Sequence, residues 1–209
     1  MKTIPEASLN LKGETKYIDD LIEARGLLHG AICPTPCSRG ILGKIDASRA
    51  LALDPSVRIY GAGDVPGKNQ LGGIVADEPL FAEGEWGYKG QPLALVLASS
   101  RALARRAAEL VAIDYEELPP IVDAREAARL GHFVLPSRTM KSGDPEAAFA
   151  RCATVVSGTV ESDGQEHVYL ETQGAVAEPR EGGGVRVISG TQSPTGVQVA
   201  FAGVLGLPM

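Results

Sequence analysis

The six consecutive apolar residues Leu93-Ala94-Leu95-Val96-Leu97-Ala98 constrain this chain more than any other stretch. They are entered through Gly90-Gln91-Pro92 and left through Ser99-Ser100. A run of this length with no polar alternation predicts a strand covered on both faces. Ser99 or Ser100 can cap a helix from Arg101 to about Leu110, which places Leu103, Ala107 and Leu110 on one side. Val111-Ala112-Ile113-Asp114-Tyr115-Glu116 then reads as another strand. This strand-helix-strand order predicts a right-handed parallel crossover.

The rest of the chain supplies more strands and short helices, giving a mixed α/β (α+β) fold. Residues 1–12 read as an N-terminal arm, with the ordered part opening at Gly13. Leu27 to Cys33 is a small-residue strand ended by Pro34 and Pro36, and His29 within it reads as a structural histidine. Gly40 to Asp46 is a second strand, after which Asp46 or Ser48 caps a helix from Arg49 to Leu53. Val57-Arg58-Ile59-Tyr60 alternates at period two. Gly61-Ala62-Gly63-Asp64-Val65-Pro66-Gly67 has the glycine density of a phosphate-binding loop, but Pro66 interrupts the helix that such a loop requires. Residues 67–83 form a long loop. Beyond Leu118-Pro119-Pro120, Asp123 caps a short helix and 135–142 is a connector. Asp144 then caps a helix with Pro145 at its first position. Ala153 to Val160 is a β-branched strand feeding Gly164 to Gln192, where strand-forming residues carry a dense set of polar side chains. Thr195 to Leu205 is a final helix with Val197, Phe201, Val204 and Leu205 as its apolar positions.

Charge and cysteine usage exclude several classes. The net charge of −6 offers no basic footprint for nucleic acid. Arg101 to Arg106 reads as one solvated helix face. No apolar run is long enough for a membrane span or a signal peptide, so the cytoplasm is the expected location. The three cysteines, Cys33, Cys37 and Cys152, do not make a disulfide framework. No His or Cys pair follows Cys33 and Cys37 at ligand spacing, so structural thiols are expected.

Several segments together resemble the molybdenum-binding subunit of the xanthine dehydrogenase and aldehyde oxidase family. They are Gly13-Glu14-Thr15-Lys16-Tyr17-Ile18-Asp19-Asp20, Asp77-Glu78-Pro79-Leu80-Phe81, Gly90-Gln91-Pro92, Tyr115-Glu116-Glu117-Leu118-Pro119-Pro120, Gly143-Asp144-Pro145-Glu146-Ala147-Ala148-Phe149 and Gly164-Gln165-Glu166-His167-Val168-Tyr169-Leu170-Glu171-Thr172. Asp163 stands where that family commonly has glycine. The resemblance implies an α/β hammerhead domain over 13–118, a linker over 119–142 and the N-terminal part of a molybdopterin-binding domain over 143–209.

It further implies hydroxylation of purines, other N-heterocycles or aldehydes with water-derived oxygen at a molybdopterin-type molybdenum cofactor. Electrons would leave through 2Fe-2S clusters and FAD on partner subunits or domains. Within Ser189-Gly190-Thr191-Gln192, the resemblance assigns Gln192 to the cofactor, donating to the oxo ligand of molybdenum. Taken alone, a strand-end Gln capping the next helix is the simpler reading; the resemblance reverses that preference. Gln165, Glu166 and His167 read as a structural hydrogen-bond network behind the site rather than as metal ligands, since neighbours on a strand point to opposite faces. The general-base Glu of the family is expected beyond Met209, so the chain is expected to be inactive alone. Its expected partners are the remaining part of the molybdenum subunit, iron-sulfur and FAD subunits and a small heteroaromatic or aldehyde substrate. The alternative is a non-catalytic interaction or assembly module derived from the same family.

Overall fold

The structure is a computed structural model that describes residues 5–21, 24–171 and 173–209. Met1 to Ile4 of the arm and Thr172 of the family motif therefore lie outside the described residues. Two units are present, one made of 1–120 with 170–209 and the other of 121–169.

In the first unit, strands β1 (His29–Pro34), β5 (Pro92–Ala98) and β3 (Arg58–Gly61) form one antiparallel sheet in the order β1-β5-β3. Strands β4 (Glu85–Trp86), β2 (Gly40–Asp46) and β6 (Ala112–Glu117) form a second, in the order β4-β2-β6. The apolar run is indeed a central strand, because β1 and β3 occupy both of its edges. That occupancy also overturns the parallel crossover. Helix α3 (Arg101–Glu109) leaves β5, but no edge of that sheet is open beside it, so β6 pairs antiparallel with β2 in the other sheet.

The main core lies between α3 and the first sheet. Ala104 and Ala107 of α3, Ala94, Val96 and Ala98 of β5, Cys33 of β1, Val57 and Ala50 are all buried there. Small side chains let the helix approach the sheet closely, and burying a side chain such as Val96 contributes about 1.5–3 kcal/mol. Ser100 caps α3 by accepting from Leu103 N–H at 3.2 Å. Arg101, Arg105 and Arg106 face solvent, as the charge pattern predicts.

A smaller core surrounds Trp86, Leu93 and Ala82. Trp86 donates its indole N–H to Cys37 O at 3.0 Å, and its ring lies 5.6 Å from that of Tyr115. Opposite Trp86 in register stands Gly40, where a Cβ would come within 2.5 Å of the indole. Only glycine leaves room for the ring.

Two local expectations are corrected and one is sharpened. Within the N-terminal arm, Pro5–Lys12 forms a helix, α1: Pro5 is tolerated in a first turn, and Gly13 at φ 69° closes the other end with Glu14 N–H on Leu9 O. Ala153 to Val160 is not a strand, and neither is Gly164 to Glu171. The unit of 121–169 holds only the helices α4 (Ala124–Leu130) and α5 (Pro145–Ala150), capped by Asp123 and Asp144 as predicted, so its β-branched residues have no strand to pair with. Strand propensity without a partner leaves backbone donors to water.

The helix predicted after Asp46 is present as α2 (Ser48–Leu51). The described chain closes with the hairpin β7 (Ala175–Pro179) and β8 (Val185–Ser189) and the helix α6 (Pro194–Leu205).

Candidate functional site

The family-like motifs of the first unit are built into its scaffold. Thr35 and Gln91 are the buried polar residues among those described, and neither leaves a fully buried side-chain N or O atom without a partner. Thr35 Oγ1 donates to Tyr88 O at 2.8 Å and accepts from Gln91 N–H at 2.9 Å. Gln91 Oε1 accepts from Gly87 N–H at 3.1 Å, and Gly90 turns at φ 92°. Gly90-Gln91-Pro92 is thus a corner that feeds β5 without leaving a buried amide unpaired. In the long loop, Asn69 imitates a backbone pair, donating to Phe81 O and accepting from Phe81 N–H, both at 2.8 Å. Gln70 Oε1 gathers Leu71, Gly72 and Glu78 N–H groups. The glycine-dense segment ends in a different task from phosphate binding. Gly67 and Lys68 donate their N–H groups to Val204 O and Gly203 O at 2.8 and 2.9 Å, satisfying carbonyls in the last turn of α6.

Gln192 lies in the turn between β8 and α6 and is exposed. Thr191 Oγ1 accepts from Ser193 N–H at 3.0 Å, which tightens this turn. Its side chain is an uncharged amide donor at the head of a 12-residue helix, where the backbone dipole is positive. That donor set fits an electron-rich oxo group, since NH2 can hydrogen-bond to it without adding charge. A groove of about 630 Å³ runs along the same β8–α6 seam, lined by Val185, Val187, Val197, Phe201, Leu205 and Met209 among others.

Gln165, Glu166 and His167 do not make the network expected of them. All three are exposed, and among the described residues Glu166 Oε1 accepts locally, from His167 and Val168 N–H at 3.0 and 3.4 Å. Val168 sits at φ 48°, a region that β-branched residues avoid. Among the described residues of this motif, it is Glu171 that has a long-range partner. Its Oε1 accepts from Ile18 N–H at 2.6 Å, joining Gly164–Thr172 to Gly13–Asp20, and nothing in the spacing of the two motifs signals this contact.

His29 is half-buried at the start of β1, and Cys33 is buried on the same strand, which pushes its thiol up. Cys37 Sγ donates to Arg39 O at 3.3 Å. Among the described residues no three His, Cys, Asp or Glu side chains converge on a metal position, and no helix is long and apolar enough to cross a membrane.

Comparisons with known proteins give this architecture its class. Residues 12–119 match the family model "Aldehyde oxidase and xanthine dehydrogenase, a/b hammerhead domain", and residues 129–209 match "Molybdopterin cofactor-binding domain". The paired antiparallel sheets with α3, followed by β7, β8 and α6, are therefore a hammerhead scaffold and the beginning of a molybdopterin cofactor-binding domain. The chain belongs to the aldehyde oxidase and xanthine dehydrogenase family.

Xanthine dehydrogenase 2 of Arabidopsis thaliana is 36% identical over 97% of this chain and 15% of its own length. Among solved structures, the aldehyde oxidoreductase of Desulfovibrio gigas superposes with a TM-score of 0.85 at 28% identity, over 98% of this chain and 25% of that one. Quinoline 2-oxidoreductase of Pseudomonas putida 86 gives 0.79 at 29% identity, over 98% and 28%. The chain spans about 15% of the length of the curated relatives it matches.

Proposed function

We propose that this chain is the N-terminal portion of a molybdenum hydroxylase subunit, with 13–118 as scaffold, 119–142 as linker and 143–209 as the first part of the cofactor domain. When bound, the molybdenum cofactor supplies two-electron oxidation and a water-derived oxygen for a small heteroaromatic or aldehyde substrate. Gln192 would hold that group by donating its amide N–H to the oxo ligand of molybdenum, and the β8–α6 turn, closed by the Ser193 N–H bond to Thr191 Oγ1, would orient the donor. The observation that carries this reading is the exposed, neutral Gln192 at the head of α6 within the residues that match the cofactor-binding family model.

The apolar groove beside that turn is covered by the remaining part of the molybdenum subunit, and iron-sulfur and FAD subunits or domains take the electrons away. The general base is contributed from outside these residues, so the chain alone does not hydroxylate. Three cysteines without a disulfide suit the cytoplasm.

Metal analysis of the chain alone and of the chain co-purified with its partners tests the reading. Molybdenum is expected only in the co-purified sample, and Gln192→Ala is expected to lower its content there. Oxidation of a purine or an aldehyde by the isolated chain with an artificial electron acceptor would overturn it.

A further inference from the structure

Helix α6 is mostly apolar, yet none of its residues is buried, and neither hydrophobic core of the first unit includes one of its side chains. The face that carries Val197, Phe201 and Leu205 lines the open groove along the β8–α6 seam, so it is not closed by packing. A helix of 12 residues with so little burial is marginal in water, because most helical stability in proteins comes from tertiary packing. Something other than a core must hold it.

The last turn supplies the tie. Gly206, at φ 65°, and Leu207 both donate their N–H groups to Ala202 O, which leaves Gly203 O and Val204 O to be satisfied from outside the helix. Gly67 N–H reaches Val204 O at 2.8 Å and Lys68 N–H reaches Gly203 O at 2.9 Å. These bonds bring the segment after β3 against the backbone of the helix end. A Cβ on Gly67 would collide with Gly203 O and stand 2.6 Å from Gly206 N and 2.8 Å from Val204 O. Every one of those atoms is main chain, so only glycine allows the approach.

We propose that Gly67 is a positioning residue for α6: its loop caps the helix from outside, and this cap, rather than side-chain burial, holds α6 and the Gln192 turn at its head in place. Its consequence for the cofactor rests on the function proposed above; the cap itself does not.

Gly67→Ala and Gly63→Ala make a matched pair. Both replace a glycine of the segment after β3 and restrict the unfolded chain alike, but a Cβ on Gly63 meets nothing within 4 Å. Amide hydrogen exchange of the full chain, read in peptides covering 64–69, 92–98 and 195–207, tests the cap. Gly67→Ala is expected to speed exchange about tenfold in 64–69 and 195–207, the scale of losing backbone hydrogen bonds at a helix end, and to leave 92–98 in β5 unchanged. Gly63→Ala is expected to change none of the three. Acceleration confined to 64–69 would overturn the proposal, because α6 would then be held by something else. Uniform acceleration, β5 included, would also overturn it. Should Gly67→Ala fail to fold, residue-resolved exchange of the unaltered chain decides the matter. Gly67 and Lys68 N–H are expected to exchange at the rate of the α6 amides; exchange about tenfold faster would mean that the cap opens without the helix, and would refute it.

In the co-purified complex, Gly67→Ala is expected to lower molybdenum content relative to Gly63→Ala and to add nothing once Gln192→Ala is present, which a mere loss of stability would not do. Additive losses would overturn the positioning role. If Gln192→Ala leaves molybdenum content unchanged, the cofactor reading fails while the exchange experiment still judges the cap.

Discussion

Gly40 and Trp86 show how a single residue type can be dictated from across a sheet. A Cβ on Gly40 would stand 2.5 Å from the indole and 2.9 Å from Glu116 O, so neither a ring shift nor a backbone shift is free. Gly40→Ala is expected to destabilise the chain by about 1–3 kcal/mol, the usual cost of overpacking. The sole tryptophan reports on this directly, through its fluorescence in a urea titration whose midpoint falls while its slope holds. At the same scale, Gln192 is a candidate from the sequence because its neighbours carry a family motif. Glu171 belonged to a motif as well, yet its partner Ile18 is 153 positions away, and a hydrogen bond to a backbone N–H leaves no mark on the identity of the donor residue.

Helix caps are local, and the sequence announced them. Ser100, Asp123 and Asp144 each accept from the N–H three residues on, in the first turn of α3, α4 and α5. Ser100→Ala is expected to cost about 1 kcal/mol in thermal or chemical unfolding. Carboxylates set a second element-scale property. The guanidinium of Arg101 holds the carboxyl of Asp19 below its usual value, and bonds from Ser48 and Ser56 do the same for Asp46 and Asp54. An acid depressed in the folded state contributes stability above its unfolded pKa of about 4 and loses it as pH falls through the lower folded value. Stability is therefore expected to decline in acid below about pH 4, with Asp19→Asn flattening part of the decline; an unchanged profile for that variant would contradict the assignment. Asp19 and Asp46 are exposed and Asp54 is half-buried, so added salt weakens the effect most at the first two. Strand pairing was less legible than capping. The β5-α3-β6 order is plain in the sequence, but which sheet receives β6 depends on which edges β1 and β3 have already filled.

The two units differ in how much they bury. The unit of 121–169 contains no buried residue among those described, and apolar side chains such as Val134, Met140 and Val160 are almost fully exposed. Limited trypsin digestion is expected to cut at Arg138, Lys141 and Arg151 well before Arg105 or Arg106 in α3, because local opening is cheapest where little apolar surface is packed. Equal cleavage rates at the two sets of sites would contradict this. On the function proposed above, this exposed apolar surface is where the remaining part of the molybdenum subunit would pack.

The sequence by itself determined most elements of the first unit, the caps of α3, α4 and α5 and the family, because these rest on neighbours within a few positions or on motifs read in order. The tertiary structure alone decided the antiparallel pairing, the failure of Ala153–Val160 to become a strand and the grip of Glu171 on Ile18. Each of those depends on which backbone group is left unpaired once the rest of the chain has packed.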